Sequence, residues 1–463
     1  MSDNNFSRRK FLTGAAALGA VGVAGFNPLM SCAAGGSDKS VSLVTGQPFK
    51  KLEELLLPPL LDQAPDGQPL KAGVIGCGGR GSGAAINWLN AGPNVTITAL
   101  GDVFQDRIDN CVAKLKKEKN LEVAPENCFV GFDSYQKVID SGVDVVILAT
   151  PPVFRPAHFE AAVKARKHVF LEKPVAVDPV GVRSIISSAK MADSLGLKVI
   201  CGTQRHHQRD YVEVYKQIAT GAIGDLVTAN AYWNQSKLWH RNPQADWSEM
   251  ECMIRDWVNW TWLSGDHIVE QHVHNLDVIH WFTGAYPTQA VGFGSRLRRV
   301  TGDQYDNFSV DFVYDNGMHM HSMCRQINGC ENNVSEYIRG TKGSTNCQNK
   351  IFDLSGNEIY SYAYPLNEKG EPRKSVAVNP YDQEHIDLVT CIRQDIPVNE
   401  AEATAMSCMV AIMGRVSAYT GKKVTLEEMM NSDLKLGPDT FVMGEVGMMK
   451  DIIIPVPGEA PKE

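Results

Sequence analysis

Lys173 stands between Glu172 and Pro174 at the end of an apolar run, His168-Val169-Phe170-Leu171. Pro174 fixes its own φ and drives the preceding residue toward extended backbone, which aims the lysine across the strand end. A lysine so placed donates to a hydroxyl or alkoxide. It becomes a general base only where burial and nearby positive charge bring a lysine pKa from about 10.4 toward 7–8. The competing reading is a surface salt bridge to Glu172. A second group of reactive types lies between Ser264 and Trp281. Read as one helix, this stretch has two stripes. Val269, Val273, Leu276 and His280 share one face, with Ile279 beside them, and Glu270, His274, Asp277 and Trp281 share another. Acid, imidazole and acid on an otherwise apolar helix are costly to bury without a role, so the stripe reads as a catalytic face. A solvated helix face is the alternative. Glu270, His272, His274 and Asp277 are also metal-ligand types, but helix positions two apart point to nearly opposite sides, and no metal is assigned here.

Such a face needs a partner, and the sequence supplies one near residue 76. Ala72-Gly73-Val74-Ile75 leads into Gly76-Cys77-Gly78-Gly79-Arg80-Gly81, and Ser82-Gly83-Ala84-Ala85-Ile86 reads as the start of a helix. This is Gly-x-Gly-x-x-Gly between a strand and a helix. Gly76 permits the tight turn, Gly78 lets backbone approach a pyrophosphate, and Gly81 lets helix and strand pack closely. Asp102 follows a second strand, Val95 to Leu100, at 21 residues past Gly81. Its carboxylate suits both ribose hydroxyls of NAD and repels the 2′-phosphate of NADP. Arg107 is close by in sequence, so NADP is disfavoured without being excluded.

Strands and helices alternate from residue 70 to about 200. Helices are expected from Asp106 to Lys119, His158 to Arg166 and Val180 to Leu195, and strands at Val143 to Thr150, His168 to Leu171 and Lys198 to Gly202. Thr150, Pro151, Glu172, Lys173, Gln204 and Arg205 all fall at strand carboxyl ends, where such sheets bind ligands. The expected cofactor-binding set is Gly76, Gly78, Gly79, Arg80, Gly81, Asp102, Thr150, Pro151, His158, Glu172, Lys173 and Gln204.

The glycine turn, Ala149-Thr150-Pro151-Pro152, Glu172-Lys173-Pro174 and the Glu270-to-Asp277 segment, in this order, resemble the Gfo/Idh/MocA family of oxidoreductases over roughly residues 70 to 430. The resemblance implies an α/β protein. An N-terminal Rossmann domain with a doubly wound parallel sheet is joined to a C-terminal α/β domain with a large, mostly antiparallel, open-faced sheet that often mediates oligomerisation. It places the catalytic lysine at Lys173 and the histidine at His274. Glu270 stands where the family usually has aspartate, and Asp277 matches a further acid. On this reading His274 takes or gives a hydroxyl proton, Lys173 stabilises the alkoxide, and Glu270 or Asp277 orients the imidazole. The implied activity is hydride transfer between NAD and a secondary hydroxyl of a sugar or glycoside. The same family includes glycosidases that use bound NAD transiently, through oxidation, elimination, hydration and re-reduction. A non-catalytic sugar-binding protein is the third reading and leaves the Lys173–His274 pair idle.

The chain has 463 residues and a net charge of −8, which suits a globular enzyme and argues against a nucleic-acid partner. Ser7-Arg8-Arg9-Lys10-Phe11-Leu12 resembles a twin-arginine export signal, and Leu29-Met30-Ser31-Cys32 resembles a lipoprotein cleavage box. The expected protein is therefore periplasmic, lipid-anchored through Cys32, and retentive of its NAD, since free NAD is scarce outside the cytoplasm. The expected parts are a signal (1–31), a proline-rich linker (32–69), the NAD domain (70–205), a substrate and oligomerisation domain (206–435) and an extended tail (436–463). A homodimer or homotetramer follows from the resemblance.

Eleven cysteines lack zinc or disulfide spacing, apart from Cys324 and Cys330, which are near enough to pair. Trp233, Trp239, Trp247, Trp257, Trp260 and Trp262 are candidates for stacking on sugar rings, although most are expected in the core. Phe308 to Tyr314, Asp315-Asn316-Gly317 and Met318 to Arg325 read as a hairpin, and Pro380 to Ile392 and Ala401 to Tyr419 as amphipathic helices.

Overall fold

A computed structural model describes residues 42, 44–450 and 452–458 of the chain; the Arg8-Arg9 leader and Cys32 lie outside the described residues. Strand β1 (Leu70–Ile75) is apolar almost throughout because both of its faces are covered. It pairs in parallel with β2 (Val95–Asp102) and β4 (Val145–Leu148). With β3 (Cys128–Val130), β5 (His168–Leu171) and β6 (Val199–Cys201) the order is β3-β2-β1-β4-β5-β6, all parallel. The order reverses between β1 and β4, and a crevice opens there beyond the strand ends. Helices α1 (Gly79–Asn90), α2 (Gln105–Lys119), α3 (Ser134–Asp140), α4 (Arg155–Lys164) and α5 (Pro179–Ser194) make the crossovers. Helix α4 starts three residues earlier than the sequence suggests. A 3-10 turn, Pro152–Phe154, runs straight into it, and Pro156 is pre-set for a first helical turn.

Helix α6 (Arg209–Ala219) leads to the second sheet, whose first strand is β7 (Leu226–Gln235). The helices that follow are α7 (Glu249–Arg255), α8 (Thr261–Ser264), α9 (His267–Glu270) and α10 (Val273–Thr283). The remaining strands are β8 (Gln289–Ser295), β9 (Asn307–Val313), β10 (His319–Gln326), β11 (Asn333–Gly340), β12 (Gly343–Thr345), β13 (Lys350–Asp353), β14 (Glu358–Ser361) and β15 (Val424–Thr425). Their order is β14-β13-β12-β11-β7-β10-β9-β8-β15, antiparallel except for the β7/β10 pair. The Asp-Asn-Gly hairpin forms as expected, with Gly317 at φ +81°. Strands β9 and β10 alternate buried and half-exposed residues, so one face packs inward and the other is open. Helices α11 (Pro380–Arg393), α12 (Ala401–Thr420) and α13 (Leu426–Met430) complete the chain.

The structure departs from the sequence reading in several places. The stretch from Ser264 to Trp281 is not one helix. Gly265 and Asp266 have φ of +85° and +70°, and a second break at Gln271 and His272 separates α9 from α10. The Asp266 carboxylate holds the first turn by accepting from Tyr305 N, His267 N and the Tyr419 hydroxyl. Helix α11 covers the first sheet: Ile386, Leu388 and Val389 share a core with Val74, Trp88, Phe170 and Ile200. The proline-rich segment before residue 70 is tied down over much of its length. Leu60 N donates to Asp387, Gln383 to Leu61 O, and Arg393 to Pro65 O, which satisfies backbone that has no ladder of its own.

Residues 436–450 and 452–458 contain no helix or strand and strap back over the body. Phe441 packs on Phe154 (ring centroids 4.7 Å apart), Phe132 and Trp262, and the Glu249 carboxylate accepts N–H groups from Val446, Gly447 and Met449. Cys324 is buried on β10, Cys330 is exposed, and both are free, so the pair that their spacing allows does not form. Among the described residues no helix is long and apolar enough to cross a membrane.

Candidate active site

The glycine turn leaves β1 with Gly76 at φ +92°, where a Cβ would meet Ala149 C and Thr150 N at 2.6 Å. A Cβ on Gly81 would sit 1.7 Å from Gly76 O, so helix and strand touch backbone to backbone. Gly78 is different. A Cβ there meets nothing within 4 Å, and its φ of −66° suits any residue. The protein itself does not require this glycine. The space before the α1 N-terminus is open to a phosphate group, which such N–H groups attract.

Asp102, at the end of β2, accepts from Cys77 N at 2.7 Å and Phe104 N at 3.0 Å. Burial raises its carboxyl pKa, against the pull of these N–H groups. It thereby fixes the turn while lining one crevice with Gly76, Phe132, Thr150, Pro151 and His158. His158 lies 3.4 Å from the Thr150 hydroxyl and stacks on Tyr135 at 4.2 Å, and burial lowers its pKa to about 3, so the ring is neutral. Arg107 is 3.7 Å from Asp106. The donor set and the crevice fit the adenosine and pyrophosphate of NAD.

Glu172 has protein partners of its own. It is buried beneath Gly202 and ion-paired with Arg80 Nε, so it anchors that arginine. Arg80 also lies 3.7 Å from Glu384 and 4.9 Å from the Tyr381 ring centre. With Glu172 so engaged, the Lys173 ammonium goes elsewhere, and the surface salt-bridge reading falls.

The Lys173–Pro174 peptide is cis, and Lys173 Nζ donates to Glu270 O at 2.7 Å, with Glu270 Oε1 at 3.4 Å. The helix break makes this possible, because His274 N bonds to Gln271 O and leaves the Glu270 carbonyl to the lysine. The His274 ring stacks on Trp233, centroids 5.7 Å apart, and has no hydrogen-bond partner among the described residues. Burial, then the charges of Lys173, Arg205 and Arg80, hold its pKa well below the ordinary value. The ring is neutral, the form that accepts a hydroxyl proton.

Asp277 does not orient His274. It accepts from His206 Nε2 at 2.6 Å and from the Ser407 hydroxyl at 2.9 Å. Burial opposes its ionisation, but His206 and Ser407 outweigh that and keep the carboxyl below the usual range. Helical spacing put Asp277 beside His274; the turn after β6 supplies a different imidazole. Gln204, in that turn, has a buried Oε1 with no partner among the described residues, an acceptor available to a bound amide. Sequence reasoning missed the role of Arg205. Its guanidinium lies 5.9 Å from the Trp233 ring centre and 3.4 Å from the fully buried Glu336. Glu336 also accepts from Tyr211 and Asn275. It lies on an ordinary alternating strand, which carries no local signal. Of the tryptophans, Trp233 joins the site, whereas Trp260 and Trp262 belong to a core with Phe154 and Met250.

Comparison with known proteins agrees with this geometry. Residues 70–203 match the family model described as "Oxidoreductase family, NAD-binding Rossmann fold", and residues 211–346 match the "GFO/IDH/MocA C-terminal domain". An inositol 2-dehydrogenase/D-chiro-inositol 3-dehydrogenase of Lactiplantibacillus plantarum is 28% identical over 215 residues, 46% of this chain and 51% of the relative. A glycosyl hydrolase family 109 protein of Streptomyces coelicolor is 25% identical over 198 residues, 39% of this chain and 41% of the relative. The matches thus span about half the length of these curated relatives. The fold also resembles scyllo-inositol dehydrogenase of Lactobacillus casei, solved with bound NAD(H) and scyllo-inositol. The TM-score is 0.57 at 19% identity, over 78% of this chain and 99% of that one. By its two domains and the order of its glycine turn and Glu-Lys-Pro segment, the chain belongs to the Gfo/Idh/MocA family of NAD-binding oxidoreductases.

Proposed function

We propose that the protein oxidises a secondary hydroxyl of a sugar or polyol. NAD, when bound, supplies the hydride acceptor. The observation that carries this reading is Lys173 tied to the Glu270 carbonyl beside a neutral His274 whose ring has no hydrogen-bond partner among the described residues, at the carboxyl ends of the parallel strands. Lys173 and His274 would share the hydroxyl proton, Glu270 would position the ammonium, and Trp233 would offer its face to the sugar ring. Asp102 favours NAD over NADP, since a 2′-phosphate would meet its carboxylate. The strap carrying Phe441 favours a tightly held cofactor. The proposal includes export by the Arg8-Arg9 leader, lipid anchoring at Cys32, and dimers or tetramers formed through the open sheet face, where Val291, Phe293 and Tyr337 are exposed.

A second reading, transient oxidation within a glycosidase, is favoured by the match to a family 109 hydrolase. One experiment separates the two. Protein purified without added cofactor is denatured and its NAD(H) and NADP(H) quantified; intact protein is then given inositols, free sugars and nitrophenyl glycosides. NADH formed from a free sugar or inositol supports the dehydrogenase. Aglycone release without NADH, on stoichiometric NAD that survives dialysis, supports the hydrolase. Absence of both reactions, with no NAD bound, overturns both.

A further inference from the structure

A second cavity, of about 190 Å³, lies where β7 and β10 end, and Lys237, His240, Asn259, Arg298, Arg299 and Gln326 line it. None of its lining residues is an acid, although the chain as a whole is acidic. One of the cations is built in by neutral partners. Arg299 donates to Tyr305 O at 3.0 Å, Asn259 Oδ1 at 2.7 Å and Gln326 Oε1 at 2.8 Å. The neighbouring acids are committed to other donors: Asp306 accepts the backbone N–H groups of Leu297, Arg298 and Arg299, and Asp256 accepts from Arg241 N, the Thr301 hydroxyl and the Asn259 amide. Lys237, Arg298 and Arg299 make no ion pair among the described residues. Gln326 is 5% exposed, and its amide nitrogen is a buried donor with no partner among the described residues. Guanidinium and ammonium groups that lack an ion pair, around a free N–H donor, are suited to an oxyanion.

The cavity continues the catalytic face. Ser322, Cys324 and Gln326 are the buried alternates of β10, and Ser322 is bonded to His272 between α9 and α10. Cys324 pairs with Trp233 and Gln326 with Gln235, so Gln326 lies two residues, roughly 7 Å, along the sheet from the level of Trp233. A carbohydrate lying along Trp233, on which His274 stacks, would reach it. We propose that the cavity is a subsite for an anionic substituent, a carboxylate or sulfate ester, on a carbohydrate whose reacting hydroxyl lies at Lys173 and His274. This rests on the reading of the protein as a hydroxyl oxidoreductase.

The test is calorimetric titration of the full, NAD-loaded protein with D-glucuronate, glucose 6-sulfate, D-glucose and inorganic sulfate, alongside rates of NADH formation. The same titrations are run on Lys237→Ala/Arg298→Ala, whose side chains are exposed, and on Arg299→Lys, with NAD content as the control for folding. At low salt an acidic sugar should bind about tenfold or more tightly than glucose, and the double variant should lose that preference. If the acid is oxidised, its KM should rise in the variant while kcat holds. The carboxylate and sulfate arms identify which anion is taken. Equal affinity for acidic and neutral sugars, a preference that survives the double substitution, or inorganic sulfate bound as tightly as the sugar acids would overturn the subsite. Variant-sensitive binding of the acids with no oxidation of any sugar keeps the subsite and rejects the proposed activity.

Discussion

A single methyl group distinguishes Gly78 from Gly81. Gly81→Ala places Cβ against Gly76 O, a backbone atom that cannot move aside, and should destabilise the protein by about 3 kcal/mol or more. Gly78→Ala meets no protein atom within 4 Å and should melt with the wild type, yet bind NAD at least roughly tenfold more weakly. Thermal unfolding without cofactor and calorimetric NAD titration read the two effects separately. A Gly78→Ala protein with normal NAD affinity would refute the pyrophosphate assignment. At Lys173, replacement by Ala should lower kcat by roughly 10²–10⁴-fold while bound NAD is retained. Unchanged turnover would mean that the ammonium only braces Glu270.

At the scale of elements, the C-terminal strap matters most. Phe441 packs on Phe132 and Phe154, and both line the crevice that also holds Asp102 and His158. Phe441→Ala should therefore speed NAD release, by roughly tenfold if the lost packing is worth about 1.4 kcal/mol. Displacement of bound NADH followed by fluorescence tests this; an unaltered release rate would show that the strap is only a cover for Trp262. The α9/α10 break has a comparable role. It costs a helical hydrogen bond and frees the Glu270 carbonyl for Lys173, joining the two domains at the reacting groups.

Across the whole molecule, buried neutral histidines set the acid limit of stability. Burial lowers His158 and His272 to about 3 and His280 to about 4. Their unfolded counterparts titrate near 6.5, so below that pH the unfolded chain binds more protons. The stability they contribute is complete above pH 6.5 and is lost as pH falls toward their folded values. His207 lies the other way. Despite burial, Glu400 and Asp387 raise its pKa, so its contribution is complete below pH 6.5 and declines only as pH rises through the elevated value. Glu336 and Glu384, pushed upward by burial, partly offset the acid loss. The clean measurement is thus a difference. Between pH 7 and 5, His272→Gln should lose about 2 kcal/mol less stability than wild type in urea unfolding. Equal losses would mean that His272 titrates in the fold as it does in the unfolded chain.

The sequence by itself determined what contiguous residues can specify. The strand–turn–helix at Gly76 to Gly81, the placement of Lys173 past a buried strand, and the hairpin at Gly317 follow from local sterics and alternation, and the structure keeps them. The tertiary structure decided which distant groups meet. Asp277 faces His206 instead of His274, Arg205 finds Glu336, Phe441 closes over Phe154, and Arg299 reaches Gln326 and Asn259. Even the break in the expected helix has a remote cause, since Asp266 is held by Tyr305 and Tyr419, 39 and 153 residues away. A helical period reports which side chains share a face. It does not report what that face packs against, and burial beside a particular neighbour fixes the charge, partner and role of each polar group.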